Sequence, residues 1–379
     1  MLDSAILNHA ARIVAAVTAD VRADAALRHY FVETRRLGPR EKRQISRAVF
    51  AYFRWLQWLD PRASLQKQLA QTAELHEAFA RDPKAVKVET LAAFAVPEWL
   101  RTEMDLPAAY LQQLQRDPAL WLRARPGTAA ALARMLSDCE PPTSPDGARA
   151  HDALHYKGHH DLFLTPQFQS GAFEIQDLSS QLVAIACAPQ PKQTWWDACA
   201  GEGGKTLHLA NLMANKGLVW ASDRHSRRLE ILKRRAARAE IFNYRSVLWD
   251  GSQRLPTKTK FDGILVDAPC SGVGTWQRNP HARWTTTPND VRELATTQLA
   301  LLDHVAGALK PGGRLVYAVC TLTRSETTAV AERFTAQHAE LEPAPVFPGD
   351  QPTSAAQRFL LPHELNANGM FIAAWTRKK

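Results

Sequence analysis

From about Glu174 onward the chain alternates short apolar runs with amphipathic ones, and each apolar run ends on an acid or a cysteine. The apolar runs are "TWWDA", "GLVWASD", "RSVLWD", "FDGILVDAP" and "GGRLVYAVC". Between them lie "GKTLHLANLMAN", "SRRLEILKRRAARAE" and a long stretch from Pro288 to Leu309 that reads as helix. Strands that are apolar throughout must be buried on both faces, and strands alternating with helices form a parallel sheet covered on both sides. Pro288 behind Thr287 marks a helix start, and Pro311-Gly312-Gly313 is expected to end that helix. "QRFLLP" and "GMFIAAW", separated by "HELNAN", read as a closing hairpin at the sheet edge. The expectation is an α/β, Rossmann-like domain over residues 174–379, with a mostly parallel sheet and a C-terminal hairpin.

In such a sheet, ligands sit beyond the carboxyl ends of the strands. The first strand leads into "DACAGEGGKT" (197–206), whose end resembles a phosphate-binding loop. That loop needs G-x-x-x-x-G-K-[ST], and Cys199 stands where its first glycine belongs. Asp197 would also repel phosphates in the absence of a metal. A dinucleotide would need G-x-G-x-x-G, and Glu202 would oppose its pyrophosphate. The second strand ends in Asp223, about 20 residues after the glycine turn, where an acid hydrogen-bonds ribose hydroxyls. The third ends in Asp250 and the fourth in "DAPCSG" (267–272). Acids facing a nucleoside, with no phosphate clamp, suit S-adenosylmethionine, whose sulfonium and amino groups carry positive charge. The alternative is that these acids merely cap the helices that follow.

Two cysteines stand at the tips of the fourth and fifth strands, Cys270 and Cys320. Free cysteine is usually a small buried hydrophobe, and Cys139, Cys187 and Cys199 read that way. A thiol pair beside a methyl donor points instead to pyrimidine chemistry. Carbon 5 of a pyrimidine is a poor nucleophile. A thiolate adding to carbon 6 makes an enamine whose carbon 5 attacks the methyl sulfonium, and loss of the carbon 5 proton then expels the thiol. Asp267 is placed to assist at ring nitrogen 3. The residues alone leave open which thiol attacks.

These motifs resemble the bacterial Sun-type (RsmB-like) RNA cytosine-5 methyltransferases over essentially the whole chain. "IQDLSSQLVA" is similar to the family's entry to the catalytic domain, "DACAGEGGKT" to its cofactor loop and "DRHSRR" to its second-strand acid followed by Arg228. "DAPCSGVGTWQRNP" resembles its most specific motif, "YAVCTL" its second cysteine motif and "NGMFIAAW" its closing strand. The resemblance implies Cys320 as nucleophile, Cys270 as the thiol that promotes product release, Asp267 as the acid at the base and Lys205 as its polar neighbour. It implies S-adenosylmethionine held by Cys199, Ala200, Gly201, Glu202, Gly203, Gly204, Lys205, Asp223, Arg228, Asp250 and Asp267, with Asp223 at the ribose and Asp250 at the adenine end. Two departures stand out. Gly201-Glu202 replace the family's usual Ala-Pro, and Val319 replaces a threonine before the second cysteine.

The first 115 residues read as helices throughout. "ILNHAARIVAAVTADV" gathers Ile6, Ala10, Ile13, Val14 and Val17 on one face. "LGPREKRQISRAVFAYFRWLQWL" gathers Ile45, Val49, Phe50, Phe53 and Leu56, with Arg40, Lys42, Arg43, Arg47 and Arg54 opposite. That basic face is either solvated or an RNA contact. By resemblance residues 1–115 form a NusB-like RNA-binding domain and residues 116–173 a small RRM-related α+β module, in which "WLRARPG", "ALHYKGH" and "LFLTPQF" read as strands. The histidines at 151, 155, 159 and 160 are expected to be solvated, with no metal bound. Five cysteines without C-x-x-C spacing argue against a disulfide framework and a zinc site, and point to a reducing cytoplasm. No apolar stretch is long enough to span a membrane, and the N-terminus lacks a signal-peptide pattern. The net charge of +9 fits a polyanionic partner. Arg224, Arg227, Arg228, Lys233, Arg234, Arg235 and Arg238 crowd one helix against a single acid, Glu230, and are expected to meet phosphates. Trp276 and Trp284, flanking Arg278, stack on a base or pack in a core. The expected substrate is a flipped-out cytosine in 16S ribosomal RNA, in a loop or an incompletely assembled particle, and the expected enzyme is a monomer. The competing reading is a noncatalytic RNA-binding ribosome assembly factor that keeps the cofactor fold.

Overall fold

A computed structural model describes residues 3–18, 20–351 and 355–379. Residues 1, 2 and 19, within the expected N-terminal domain, and 352–354 lie outside the described residues. The chain divides into two compact units. One takes residues up to Pro118 together with Gly272–Pro288, and the other takes Ala119–Ser271 and Asn289–Lys379. The small module and the large sheet thus share a unit, while the segment after "DAPCS" groups with the N-terminal helices.

In the first unit the helices run Ser4–Ala15, Ala23–Glu33, Pro39–Trp55, Leu65–Arg81, Val88–Phe94 and Ala108–Gln115. Asp3 caps the first by accepting the Ala5 N–H, and the Glu41 carboxylate reaches back to the Gly38 N–H to start the third. The apolar stripes read from the sequence meet in one core of Ile6, Ala10, Ile13, Val14, Ile45, Val49 and Phe53, with Val17, Phe50 and Leu56 half-buried at its margin. Arg54 departs from the basic face assigned to it. It is 1% exposed, and its guanidinium donates to Asp117 at 3.1 Å and to the Gln277 carbonyl at 3.1 Å. A second buried arginine, Arg283, donates to the carbonyls of Ala95, Leu114 and Trp276. These bonds replace the water the two charges lose on burial and bind residues 272–288 into the helical core. Trp276 is fully buried edge-on to Trp99, so it packs in the core rather than offering a face to a base. Trp284 donates its Nε1–H to the Phe53 carbonyl.

The second unit contains two sheets. The small one is antiparallel and joins β1 (Leu120–Ala124), β2 (Cys139–Glu140), β3 (Ala153–Tyr156) and β4 (Phe173–Ile175) in the order β2-β3-β1-β4. The large one contains β5 (Thr194–Asp197), β6 (Leu218–Asp223), β7 (Tyr244–Leu248), β8 (Phe261–Asp267), β9 (Leu309–Val319), β10 (Leu341–Pro343), β11 (Gln357–Leu360) and β12 (Met370–Arg377). Its order is β10-β12-β9-β8-β5-β6-β7, with β11 also paired to β12. Strands β5 to β9 are mutually parallel, and β12 enters antiparallel beside β9, as the closing hairpin required.

Both faces of the large sheet are buried, and alternate residues serve opposite cores. Trp195 and Leu265 pack in the core that contains Leu182, Leu207 and Leu232. Trp196, Ile264 and Val266 pack in the core of Leu302, Val305 and Phe334. Gly263 is required opposite Trp195 on the neighbouring parallel strand, because a Cβ there would stand 2.2 Å from the Trp195 ring.

Two local expectations fail. The helix from Pro288 ends at Ala306, and Pro311-Gly312-Gly313 lie inside β9. Phe261 already pairs with Leu309, and the register then jumps to Gly263 opposite Arg314. The extra residues form a bulge, with Gly312 at φ 73°. "LFLTPQF" is a 3-10 turn, Leu162–Leu164, followed by a helical turn, Pro166–Gln169. Thr165 caps that turn by accepting the Phe168 N–H, and Pro166 takes its first position, a helix signal that outweighs the apolar run. In the small module His151, His159 and His160 are exposed, while His155 stacks on Trp121 at 5.0 Å.

Candidate active site

Because β5, β8 and β9 are adjacent and parallel, Asp197, Asp267 and the residue after Val319 emerge at one edge of the sheet. On the other side of β5, β6 brings Asp223 to the same edge. Pairing continues past the strand ends, with the Ala200 N–H on the Ser222 carbonyl and the Ala268 N–H on the Ala318 carbonyl, so the loops leave the sheet in fixed directions.

The loop after β5 is shaped by two glycines with positive φ, Gly201 at 56° and Gly203 at 88°. A Cβ on Gly203 would stand 2.6 Å from Leu232 Cγ on the helix Ser226–Arg238, so only glycine lets the loop lie against that helix. Nothing lies within 4 Å of where a Gly201 Cβ would stand, so the crest of the loop is open. The Gly201 N–H donates to Asp223 Oδ2 at 3.0 Å, and the His225 N–H donates to Asp223 Oδ1 at 2.8 Å. Arg228 approaches the same carboxylate at 3.8 Å. Glu202 is exposed, and its carbonyl accepts from Arg235. Ala200 is buried, and burial pushes the Cys199 thiol well up. Asp250 stands exposed beyond β7, where it accepts the Ser252 N–H in a turn.

Asp197 is fully buried. Its Oδ2 accepts from the Thr206 hydroxyl at 2.7 Å, while its Oδ1 has no hydrogen-bond partner among the described residues. Burial, reinforced by the neighbouring Asp267 carboxylate, pushes it up to about 7. Lys205 meets Asp267 at 2.7 Å. Burial works against that ammonium, but the Asp267 carboxylate outweighs it and raises the lysine, with a further contribution from Cys320.

The sulfur atoms of Cys270 and Cys320 lie 3.2 Å apart. Beneath them is Glu326, fully buried and not singled out by the sequence reading. Its Oε1 accepts the Ser271 N–H at 2.8 Å and the Gln298 Nε2–H at 3.0 Å. Its Oε2 receives the hydroxyls of Ser271, Thr321 and Thr323. Gln298 also donates to the Pro269 carbonyl and accepts from the Tyr317 hydroxyl, which bonds the Glu326 carbonyl too. The signal was the hydroxyl-rich "CTLTRSE", in which an acid follows closely on a cysteine. Val319 is packed in the apolar core, and the hydroxyl of Thr321, next in sequence after Cys320, donates to Glu326.

The expected basic helix is only partly available. Arg235 and Arg238 clasp the buried Glu174 of β4, at 2.9 and 2.6 Å. Arg224, Arg227, Arg228, Lys233 and Arg234 remain exposed. Among the described residues no group of three His, Cys, Asp or Glu is placed to hold a metal ion, and no helix is long and apolar enough to cross a membrane.

A parallel sheet closed by one antiparallel strand beside β9, with an acid-tipped glycine loop at its edge, is the fold of S-adenosylmethionine-dependent methyltransferases. Residues 184–376 match the model of the family described as 16S rRNA methyltransferase RsmB/F, and the chain belongs to that family. It is 34% identical over 312 residues to a probable ribosomal RNA small subunit methyltransferase B of Synechocystis, covering 76% of this chain and 68% of that one. It is 31% identical over 229 residues to a mouse 28S rRNA (cytosine-C(5))-methyltransferase, covering 56% of this chain and 29% of that one. Among solved structures the protein PH0851 shares the fold, with a TM-score of 0.78 at 23% identity over 99% of this chain and 97% of that one. The chain spans between 49% and 68% of the lengths of four bacterial curated relatives.

Proposed function

We propose that the chain methylates carbon 5 of a cytosine in 16S ribosomal RNA through a covalent bond between Cys320 and the base. The observation that carries this is the 3.2 Å approach of two thiols at the tips of adjacent parallel strands, next to the Lys205–Asp267 pair. A single nucleophile accounts for one sulfur. A reaction that must both form and dissolve a carbon–sulfur bond accounts for two. The relatives named for cytosine carbon 5 and for small-subunit RNA support the target.

The residues fit S-adenosylmethionine, which supplies an electrophilic methyl group on a sulfonium. The loop Cys199–Gly204 has an open crest at Gly201. Asp223 keeps free lone pairs for a ribose after accepting two N–H bonds, and the unpartnered Asp197 Oδ1 suits a cationic or N–H group. Asp250 and Arg228 complete the set assigned to the donor.

Cys320 acts as the thiolate, and the Lys205 ammonium beside it favours that form. Its sulfur bonds carbon 6 of the cytosine, and the electrons of the 5–6 double bond move to make carbon 5 nucleophilic. Asp267, bonded to the Lys205 ammonium, shares a proton with ring nitrogen 3 and holds the electron-rich ring. Once carbon 5 bears the methyl group, Cys270, as its thiolate, takes the carbon 5 proton and becomes a thiol. The double bond re-forms, the carbon–sulfur bond breaks and Cys320 leaves as thiolate. The exposed arginines after β6 meet phosphates. The noncatalytic reading leaves the paired thiols without a purpose.

Bisulfite sequencing of 16S ribosomal RNA from cells with and without the gene tests this. One protected cytosine is expected to become convertible in the deletion strain, and an unchanged pattern would defeat the proposal.

A further inference from the structure

The reaction proposed above depends on two sulfurs meeting one base, yet each sits on a separate loop after a separate strand. Loops are the mobile parts of an α/β fold. Something must fix their mutual distance, and one side chain touches both. Glu326 accepts the N–H and hydroxyl of Ser271, next to Cys270, and the hydroxyl of Thr321, next to Cys320. Gln298 adds a third tie by bonding both Glu326 and the Pro269 carbonyl.

The surroundings are unusual for a structural acid. Glu326 is fully buried, and among the described residues it forms no ion pair with an Arg, Lys or His side chain. Its bonds come instead from five neutral donors on four residues. Burying a carboxylate on neutral donors alone is costly, and an apolar side chain of similar size would fill the space without that cost. What only the carboxylate supplies is two oxygens that accept from both loops at once.

We infer that Glu326 is a positioning residue that holds the Cys270 and Cys320 thiols at reacting distance, acting through Ser271 and Thr321 rather than touching the substrate. The inference rests on the proposed reaction for its purpose, but not for its geometry. Glutamine keeps the size of the side chain but replaces one acceptor oxygen by an NH2. That group faces three hydroxyls, and it has two hydrogens for them. Ser271 and Thr321 are also within 3.0 Å of each other, so reversing one hydroxyl disturbs the other.

The test uses two readouts on the full chain. The first is capture of phenylarsine oxide, which condenses with two neighbouring thiols to form two arsenic–sulfur bonds and release water. Cys320→Ser, which removes one of the two, serves as the blank. Capture depends on the effective concentration of one thiol at the other, and Glu326→Gln is expected to weaken it by about tenfold or more. The second is RNA methylation. Glu326→Gln is expected to lower kcat by about 100-fold, the scale of a misplacement of about 1 Å, with KM for RNA and Kd for S-adenosylmethionine within about threefold of wild type. A merely structural role would lower the melting temperature without separating kcat from KM. Thr321→Val removes one donor and leaves the carboxylate four others. It is expected to weaken capture by about threefold, so the test holds even if Glu326→Gln does not fold. Wild-type capture and wild-type kcat in these variants would overturn the inference. A wild-type protein that captures the arsenical but leaves every cytosine unmodified would instead defeat the proposed reaction, while weakened capture in the variants would still support the positioning role.

Discussion

Replacing Asp197 by asparagine should make the protein more stable while weakening the site. The carboxyl is fully buried and is raised from 3.8 to about 7. In the unfolded chain it releases its proton near pH 4. Between pH 4 and 7 the unfolded state therefore ionises while the folded state holds the proton. The unfolded state binds fewer protons, so stability falls as pH rises and levels off above the folded value. The interval from 3.8 to about 7, at about 1.4 kcal/mol per unit, gives a penalty of about 4 kcal/mol above pH 7. Asparagine escapes that penalty but loses part of the Thr206 bond, a cost of about 1 kcal/mol. The variant should thus be slightly less stable than wild type near pH 4, where only the lost bond counts, and exceed it by about 3 kcal/mol at pH 8. Urea denaturation of both proteins, without cofactor, at several pH values from 4 to 8 measures the difference. The same variant should bind S-adenosylmethionine about tenfold more weakly, because the unpartnered Oδ1 is an acceptor no longer backed by charge. A stability difference that does not change with pH, or a variant weaker than wild type at pH 8, would refute the reasoning.

Other substitutions probe separate parts of the structure. Lys205→Met should lower kcat by about 100-fold by removing the ammonium beside Asp267 and Cys320, and a methylation assay showing an unchanged rate would sink their shared role. Gly203→Ala should cost about 2 kcal/mol, since φ is 88° and the methyl would meet Leu232, and a thermal melt should show it. Asp117→Asn should destabilise the helical unit. Burial opposes its charge, but the His76 hydrogen bond and the Arg54 guanidinium outweigh it and hold the carboxyl low. That stabilisation is present above about pH 4 and is lost as pH falls further, so wild type and variant should converge in acid when followed by circular dichroism.

The large sheet was readable because strands buried on both faces leave an apolar run, and the runs from "TWWDA" to "GGRLVYAVC" match β5 to β9. The positions of Asp267, Cys270 and Cys320 were also readable, because strand tips of a parallel sheet share an edge, whereas Lys205, in the helix after β5, came from the family resemblance alone. What escaped the reading depends on partners far away in the chain. Arg54 has the spacing of a solvated face, and nothing local marks its bonds to Asp117 and the Gln277 carbonyl. Trp276, just after "DAPCSG", was left open between a base-stacking face and a core position, and only its distant partner Trp99 decides for the core. Arg235 and Arg238 look free until Glu174 arrives from the small sheet. The Pro-Gly-Gly of β9 reads as a helix stop because turn and bulge use the same residues. Glu326 was missed for a different reason. An acid in a polar stretch looks solvated, and only the fold shows that five donors enclose it.

The most direct test of the account replaces Cys270 by alanine and incubates the protein with unmodified 16S ribosomal RNA and S-adenosylmethionine. A protein–RNA complex that survives a denaturing gel is expected, and mass spectrometry should place the bond between Cys320 and a single cytosine already bearing its methyl group. A trapped bond on another residue, or trapping by Cys320→Ala instead, would contradict the roles given to the two thiols.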